Sequence, residues 1–177
     1  MKFVRTSLDG VWLIHAEPRE DSRGYFARVY CRDEFAREGL NTEWPQCNVS
    51  YNSTKGILRG LHYQADPKPE IKLVRCESGA IFDVVVDVRE GSPTRGRWEA
   101  FELTAGALTM LYIPGGFAHG FQCLEDRTRV FYQMSEVYYP DLARGVRWND
   151  PRLNIPWPMK EPVMSDRDRE LPLLFHE

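Results

Sequence analysis

Short runs in which apolar and polar residues alternate, separated by Gly, Pro, Asn and Asp, fill most of the chain. A period of two marks β-strands rather than helices. Strands are predicted over Gly10–Ile14, Tyr25–Tyr30, Trp44–Ser50, Arg59–Gln64, Ile71–Glu77, Ala80–Arg89, Arg97–Thr104, Leu108–Ile113, Ala118–Leu124 and Thr128–Tyr138. The polar stretch Tyr51–Leu58 reads as a turn, and charged Pro18–Gly24 as a loop. Arg32–Glu38 reads as a two-turn helix, the one credible helix of the first half, stopped by Gly39 in a C-terminal capping position. In Ala80–Arg89 the residues Phe82, Val84, Val86 and Val88 share one face, while Asp83, Asp87 and Arg89 share the other with Ile81 and Val85. That strand predicts a half-buried sheet, one face in a core and the other partly polar. From Tyr139 onward Pro140, Pro151, Pro156, Pro158, Pro162 and Pro172 rule out long regular elements, while Trp148 and Trp157 supply apolar anchors. The expectation is an all-β sandwich or barrel with a few short helices and a Pro-rich C-terminal tail wrapped over it.

Composition narrows the class. A chain of 177 residues with 42% apolar and 12% aromatic content is expected to form one domain over 1–177 with a sizeable core. Its 23 basic and 26 acidic residues are spread evenly, leaving a net charge of −3 and no basic run suited to nucleic acid. No apolar run reaches the ~18 residues that cross a bilayer. Cys31, Cys47, Cys76 and Cys123 form no Cys-x-x-Cys pair, as fits reduced thiols. A soluble, unexported, cytoplasmic protein is expected, with no nucleic-acid or membrane partner.

Candidate chemistry centres on Arg59-Gly60-Leu61-His62-Tyr63-Gln64, which sets a cation, a glycine and an imidazole close together. Histidine suits proton transfer near neutrality, although a lone histidine is more often structural. Gln46, Asn48 and Ser50 alternate, so a strand would align three hydrogen-bonding side chains, as would any solvated edge strand. Pro114-Gly115-Gly116-Phe117-Ala118-His119 resembles the second cupin motif, Pro-x-Gly-x-x-His. Metal-binding cupins carry a His-x-His in the first motif, but here the histidines are only His15, His62, His119 and His176. A metal site, which needs three or four converging N/O ligands, is therefore not expected.

Gln46-Cys47-Asn48, Arg59 to Gln64, Lys72-Leu73-Val74-Arg75, Phe82-Asp83-Val84, Gly115 to Phe121 and Trp148-Asn149-Asp150-Pro151 follow the order and spacing of one family. Asp21-Ser22-Arg23-Gly24-Tyr25-Phe26 and Ser165-Asp166-Arg167-Asp168 match its terminal signatures, so nearly the whole chain resembles the dTDP-4-dehydrorhamnose 3,5-epimerase family. That resemblance implies a cupin-type jelly roll without metal or cofactor, usually a homodimer, acting on a dTDP-linked 4-keto-6-deoxy sugar at C3 and C5. It implies His62 as general base, oriented by Asp168; Lys72 facing the C4 oxygen; Arg59 and His119 assisting there; and Tyr132 returning a proton from the opposite face. Loss of an oxyanion partner such as Lys72 costs about 3–4 kcal/mol by analogy with one oxyanion donor. It further implies that Arg23, from a neighbouring subunit, and Phe26 meet diphosphate and base, with Gln46, Asn48 and Tyr138 as further contacts. The chain departs from common members at Arg28, where Glu is usual, and at Gln133, where Lys is usual; Arg28 bears on base or sugar preference. The competing readings are a single-centre epimerase or keto-isomerase on the same fold, a sugar-binding jelly roll without catalysis, and a metal cupin.

Overall fold

β-Branched and aromatic residues form strands nearly wherever their alternation predicts them. In the computed structural model, which describes residues 1–175, His176 lies outside the described residues. The elements are β1 (Lys2–Arg5), β2 (Trp12–His15), β3 (Arg19–Asp21), β4 (Gly24–Phe26), α1 (Arg32–Arg37), β5 (Gln46–Asn52), β6 (Leu58–Gln64) and β7 (Lys72–Ser78). There follow β8 (Ala80–Asp87), β9 (Trp98–Thr104), β10 (Thr109–Ile113), β11 (Phe117–Cys123), β12 (Thr128–Met134), β13 (Ala143–Gly145) and α2 (Asp166–Arg169). One sheet has six strands in the order β1-β2-β10-β7-β12-β5, and the other has five in the order β13-β6-β11-β8-β9. All pairings within the two sheets are antiparallel.

Val74, Leu111 and Val130 from the larger sheet meet Ile81, Val85, Leu103 and Phe121 from the smaller one in the inter-sheet core. A second apolar layer lies outside the smaller sheet, where Val146, Leu153, Ile155 and Trp157 of the tail cover Val84, Val86 and Ala118. A third lies outside the larger sheet, where Phe35 of α1 and Leu40 cover Trp12, Ile14, Leu73 and Met110. Gly39 ends that helix with φ +70°, a conformation that favours glycine.

Several expectations change. The half-buried sheet at β8 is instead buried on both faces, because the tail covers its outer side. Its acids are also satisfied, Asp83 by His119 and Asp87 by Arg89, Ser92 and Thr94. The Pro18–Gly24 loop contains a strand of a small exposed hairpin, β3 with β4. The strand expected over Tyr25–Tyr30 stops at Phe26. Charged side chains disguise such a hairpin because both its faces are solvated, so no apolar period marks it. The turn after β5 is shorter than expected, since Tyr51 and Asn52 still pair with β12.

The tail is held by directional bonds as well as by burial. The Trp157 indole donates to the Trp148 carbonyl at 2.8 Å, and the Trp98 indole to that of Leu153 at 2.7 Å. Gln122 of β11 makes a reciprocal pair with the Met159 backbone, both bonds 2.9 Å long. Trp157 also meets Phe82 edge-on, 5.8 Å between ring centroids. Trp157→Ala is expected to lower unfolding free energy by about 3–5 kcal/mol, the usual range for a buried Trp truncation. Urea titration measures this, and a loss under about 1 kcal/mol would show that the tail does not share the cooperative core.

Candidate active site

A cavity of about 410 Å³ opens between the two sheets. The larger sheet contributes Gln46, Asn48 and Ser50 from β5, Lys72 from β7 and Tyr132 from β12. Facing them are Arg59 and His62 from β6 and His119 from β11, while the tail supplies Arg167 and Asp168. Arg59 and His62 are three positions apart, so a regular strand would point them to opposite faces. They share the cavity because the ladder shifts register: His119 pairs with His62, but Phe121 pairs with Arg59. An extra residue on one strand re-aims the side chains beyond it. Glycine is required at this point: Gly60 has φ +120°, and a Cβ there would lie 2.6 Å from the Gly120 Cα and 2.8 Å from the His119 carbonyl oxygen.

The bulge also leaves the Gly60 N–H outside the ladder, and it donates to Asp168 Oδ2 at 3.2 Å. The other oxygen, Oδ1, lies 2.7 Å from His62 Nε2. Asp168 sits on α2, whose first turn is capped by Ser165 Oγ accepting from the Asp168 N–H at 3.2 Å. Burial pushes the Asp168 carboxyl up, but the His62 hydrogen bond and charge, the Gly60 N–H and the Arg167 charge outweigh it and hold the carboxyl below 3.8. An ionised carboxylate can only accept, so the proton between them sits on Nε2. His62 Nδ1 is then free to take a proton.

On the facing wall, Lys72 Nζ lies 3.0 Å from Glu70 Oε1 and donates to the His62 carbonyl at 3.2 Å. His119 Nε2 lies 2.8 and 3.0 Å from the two carboxylate oxygens of fully buried Asp83, which fixes the ring. Burial pushes the Tyr132 phenol up, against smaller opposing pulls from Ser50 and the Arg59 cation, so the phenol keeps its proton at neutral pH. Arg59 is oriented by buried Asn52, whose Oδ1 accepts from Nε at 2.7 Å, and this leaves guanidinium donors for a ligand. Among the described residues no group of three or more His, Cys, Asp or Glu side chains could hold a metal ion. The arrangement can remove a proton from one side of a bound molecule, neutralise developing negative charge, and supply a proton from the other side.

Of the residues expected from sequence, His62, Asp168, Lys72, Tyr132, Arg59, His119, Gln46, Asn48 and Tyr138 all line this cavity. Gln46 Oε1 accepts from the Tyr138 backbone N–H at 3.0 Å, which ties the loop after β12 to the edge strand. Arg23 and Phe26 do not line it. They lie on the exposed β3–β4 hairpin, where Arg23 Nη2 pairs with Asp21 Oδ2 at 2.6 Å. Sequence reasoning missed Glu70, Arg144, Arg167 and Asp83. Arg167 adjoins Asp168 and is placed only when α2 docks, and Asp83 lies in a motif already noted but gains its role only where the β11–β8 ladder sets it beside His119.

The depressed Asp168 pKa gives an acid-side prediction. A carboxyl whose pKa is lowered by folding contributes stability above its unfolded value of 3.8 and loses it as pH falls through the folded value. The parent chain should therefore be more stable than Asp168→Asn at pH ~7, with the gap closing below pH ~3.8. Urea titrations of both across that range test it, and a gap that stays constant would remove the linkage.

A sequence profile of the dTDP-4-dehydrorhamnose 3,5-epimerase family matches residues 5–176. The dTDP-4-dehydrorhamnose 3,5-epimerase of Methanothermobacter thermautotrophicus is 42% identical over 171 residues, 95% of this chain and 91% of the relative. A dTDP-4-dehydrorhamnose 3-epimerase from Streptomyces niveus is 39% identical over 175 residues, 98% of this chain and 84% of the relative. Among solved structures, the Bacillus anthracis dTDP-4-dehydrorhamnose 3,5-epimerase with TDP and PPi bound matches with a TM-score of 0.95 at 41% identity, covering 97% of this chain and 98% of that one. Such epimerases are cupin-like β-sandwiches, which is the two-sheet architecture described above. With one architecture shared along nearly its whole length, this chain belongs to the dTDP-4-dehydrorhamnose 3,5-epimerase family.

Proposed function

We propose that the chain is an isomerase that inverts C3 and C5 of a dTDP-linked 4-keto-6-deoxyhexose, supplying an activated deoxysugar for polysaccharide or glycoside synthesis. The observation that carries this reading is the placement of an aspartate-backed imidazole and a protonated phenol on opposite walls of one cavity. Carbons beside a ketone have weakly acidic hydrogens, and inversion requires loss of a proton from one face and gain of one on the other. His62 Nδ1 removes the proton, and the imidazolium formed is stabilised by Asp168. Charge moves to the C4 oxygen, which the Lys72 ammonium faces with help from His119 and Arg59. Tyr132 then protonates carbon from the far wall. Acid, base and cation all come from the chain, so the chemistry needs no metal or cofactor.

Gln46, Asn48 and Tyr138 contact the nucleotide, and Arg23 and Phe26 reach its diphosphate and base, Arg23 from a second copy of the chain. Their exposure supports this: the Arg23 side chain is 88% exposed and Phe26 73% exposed, on a hairpin whose strand residues are all exposed. β5 is an edge strand that also presents Val49 and Tyr51 to solvent, and such edges need cover. The working form is a homodimer of one domain over 1–177, in the cytoplasm. Light scattering tests the assembly, and a monomer with full activity at the same concentration would remove it.

A single-centre epimerase is the second reading, favoured by the likeness to the Streptomyces niveus 3-epimerase. Incubation with the 4-keto sugar nucleotide in heavy water separates the two, because proton NMR locates deuterium at C3 alone or at C3 and C5. In the same assay His62→Ala is expected to abolish both exchange and inversion. Tyr132→Phe should still take up deuterium, because the base can return a deuteron to the face it emptied, so exchange outruns inversion. Inversion at the parent rate in Tyr132→Phe, or exchange in His62→Ala, would falsify these assignments.

A further inference from the structure

Glu70 is a second carboxylate at the cavity wall, and the mechanism above gives it no part. Its side chain is 10% exposed and that of Lys72 8%, with Oε1 and Nζ 3.0 Å apart. Next to an oxyanion site a carboxylate is an odd neighbour, since it cancels charge that the lysine would otherwise offer. A lysine stem is flexible, however, and an ammonium taken from water without a partner is costly to bury. The donor count suggests how the site resolves this. Of the three N–H groups of an ammonium, one is directed at Glu70 and one at the His62 carbonyl, which leaves a single donor for the cavity.

We propose that Glu70 is a positioning residue: with the His62 carbonyl it fixes the Lys72 ammonium so that its remaining N–H faces the substrate's carbonyl oxygen. The backbone bond matters because His62 is held at both ends. Its imidazole is bonded to Asp168 and its carbonyl to Lys72, so the spacing between base and cation is set through one residue. Glu70 completes that spacing from the third side. This inference rests on the epimerase reading, and it deepens it by assigning the orientation of the oxyanion partner.

The experiment measures kcat, KM and deuterium uptake on the 4-keto sugar nucleotide, with dTDP affinity by titration calorimetry, for the parent, Glu70→Gln, Glu70→Ala, Lys72→Ala and the double variant. Misplacement of a reacting group by about 1 Å costs on the order of 100-fold, so Glu70→Ala should lower kcat by roughly 10- to 100-fold. KM and dTDP affinity should hold within about twofold, because the loss is confined to the transition state. Glu70→Gln keeps an acceptor of the same shape and should fall between parent and Ala; it decides the matter if Glu70→Ala fails to bind dTDP. In the Lys72→Ala background, Glu70→Ala should cause no further loss, since Glu70 acts only through that lysine. Multiplying losses in the double variant, or a raised KM with kcat intact, would overturn the positioning role while leaving the epimerase reading standing. A parent chain that exchanges no hydrogen at C3 or C5 would overturn both.

Discussion

Everything in the site depends on one carboxylate meeting two partners at once. Asp168 bonds the His62 imidazole with one oxygen and the Gly60 N–H with the other. The second bond is available only because the strand bulges at Gly60, and the bulge is also what turns Arg59 and His62 to the same side. A regular β6 would pair the Gly60 amide with its neighbour and send the arginine out of the cavity. The irregularity thus helps hold the carboxylate that anchors His62, and that carboxylate in turn satisfies the amide that the irregularity frees.

The two walls treat their proton carriers differently. On the smaller sheet, charge is welcome: His62 and His119 each face a carboxylate that compensates an imidazolium. On the larger sheet, Tyr132 is surrounded by the core residues beneath the cavity and burial raises its pKa, which favours the neutral form. An imidazole backed by a carboxylate and a phenol that resists ionisation stand across the same space. The sheet architecture makes this possible, because a sandwich offers two independent backbones whose inward residues can be given opposite electrostatic surroundings.

How much of this was legible before folding depends on the range of each signal. Strands with an apolar period, the helix stopped by Gly39 and the wrapping tail were readable, since each is written in neighbouring residues. The wall formed by Gln46, Asn48 and Ser50 was also legible as an alternation. Resemblance to the family supplied Asp168, Lys72 and Tyr132, which share no local pattern with His62. What escaped was non-local. Double burial of β8 depends on a tail some sixty to seventy-five positions later, as the contact of Phe82 with Trp157 illustrates. The bulge depends on how β6 meets β11. Arg23 and Phe26, expected at the site from the resemblance, lie on the exposed hairpin away from the cavity of the single chain.

The tail's role has a consequence in the order of synthesis. Among the described residues every strand of both sheets lies before Val146, while Asp168, the partner of His62, lies on α2 at residues 166–169. A ribosome that has delivered both walls of the cavity has therefore not yet delivered the carboxylate that pairs with His62. Until the segment carrying α2 emerges and docks, His62 lacks its partner. Completion of the cavity becomes a late event in the life of the chain, because its carboxylate arrives after both of its walls.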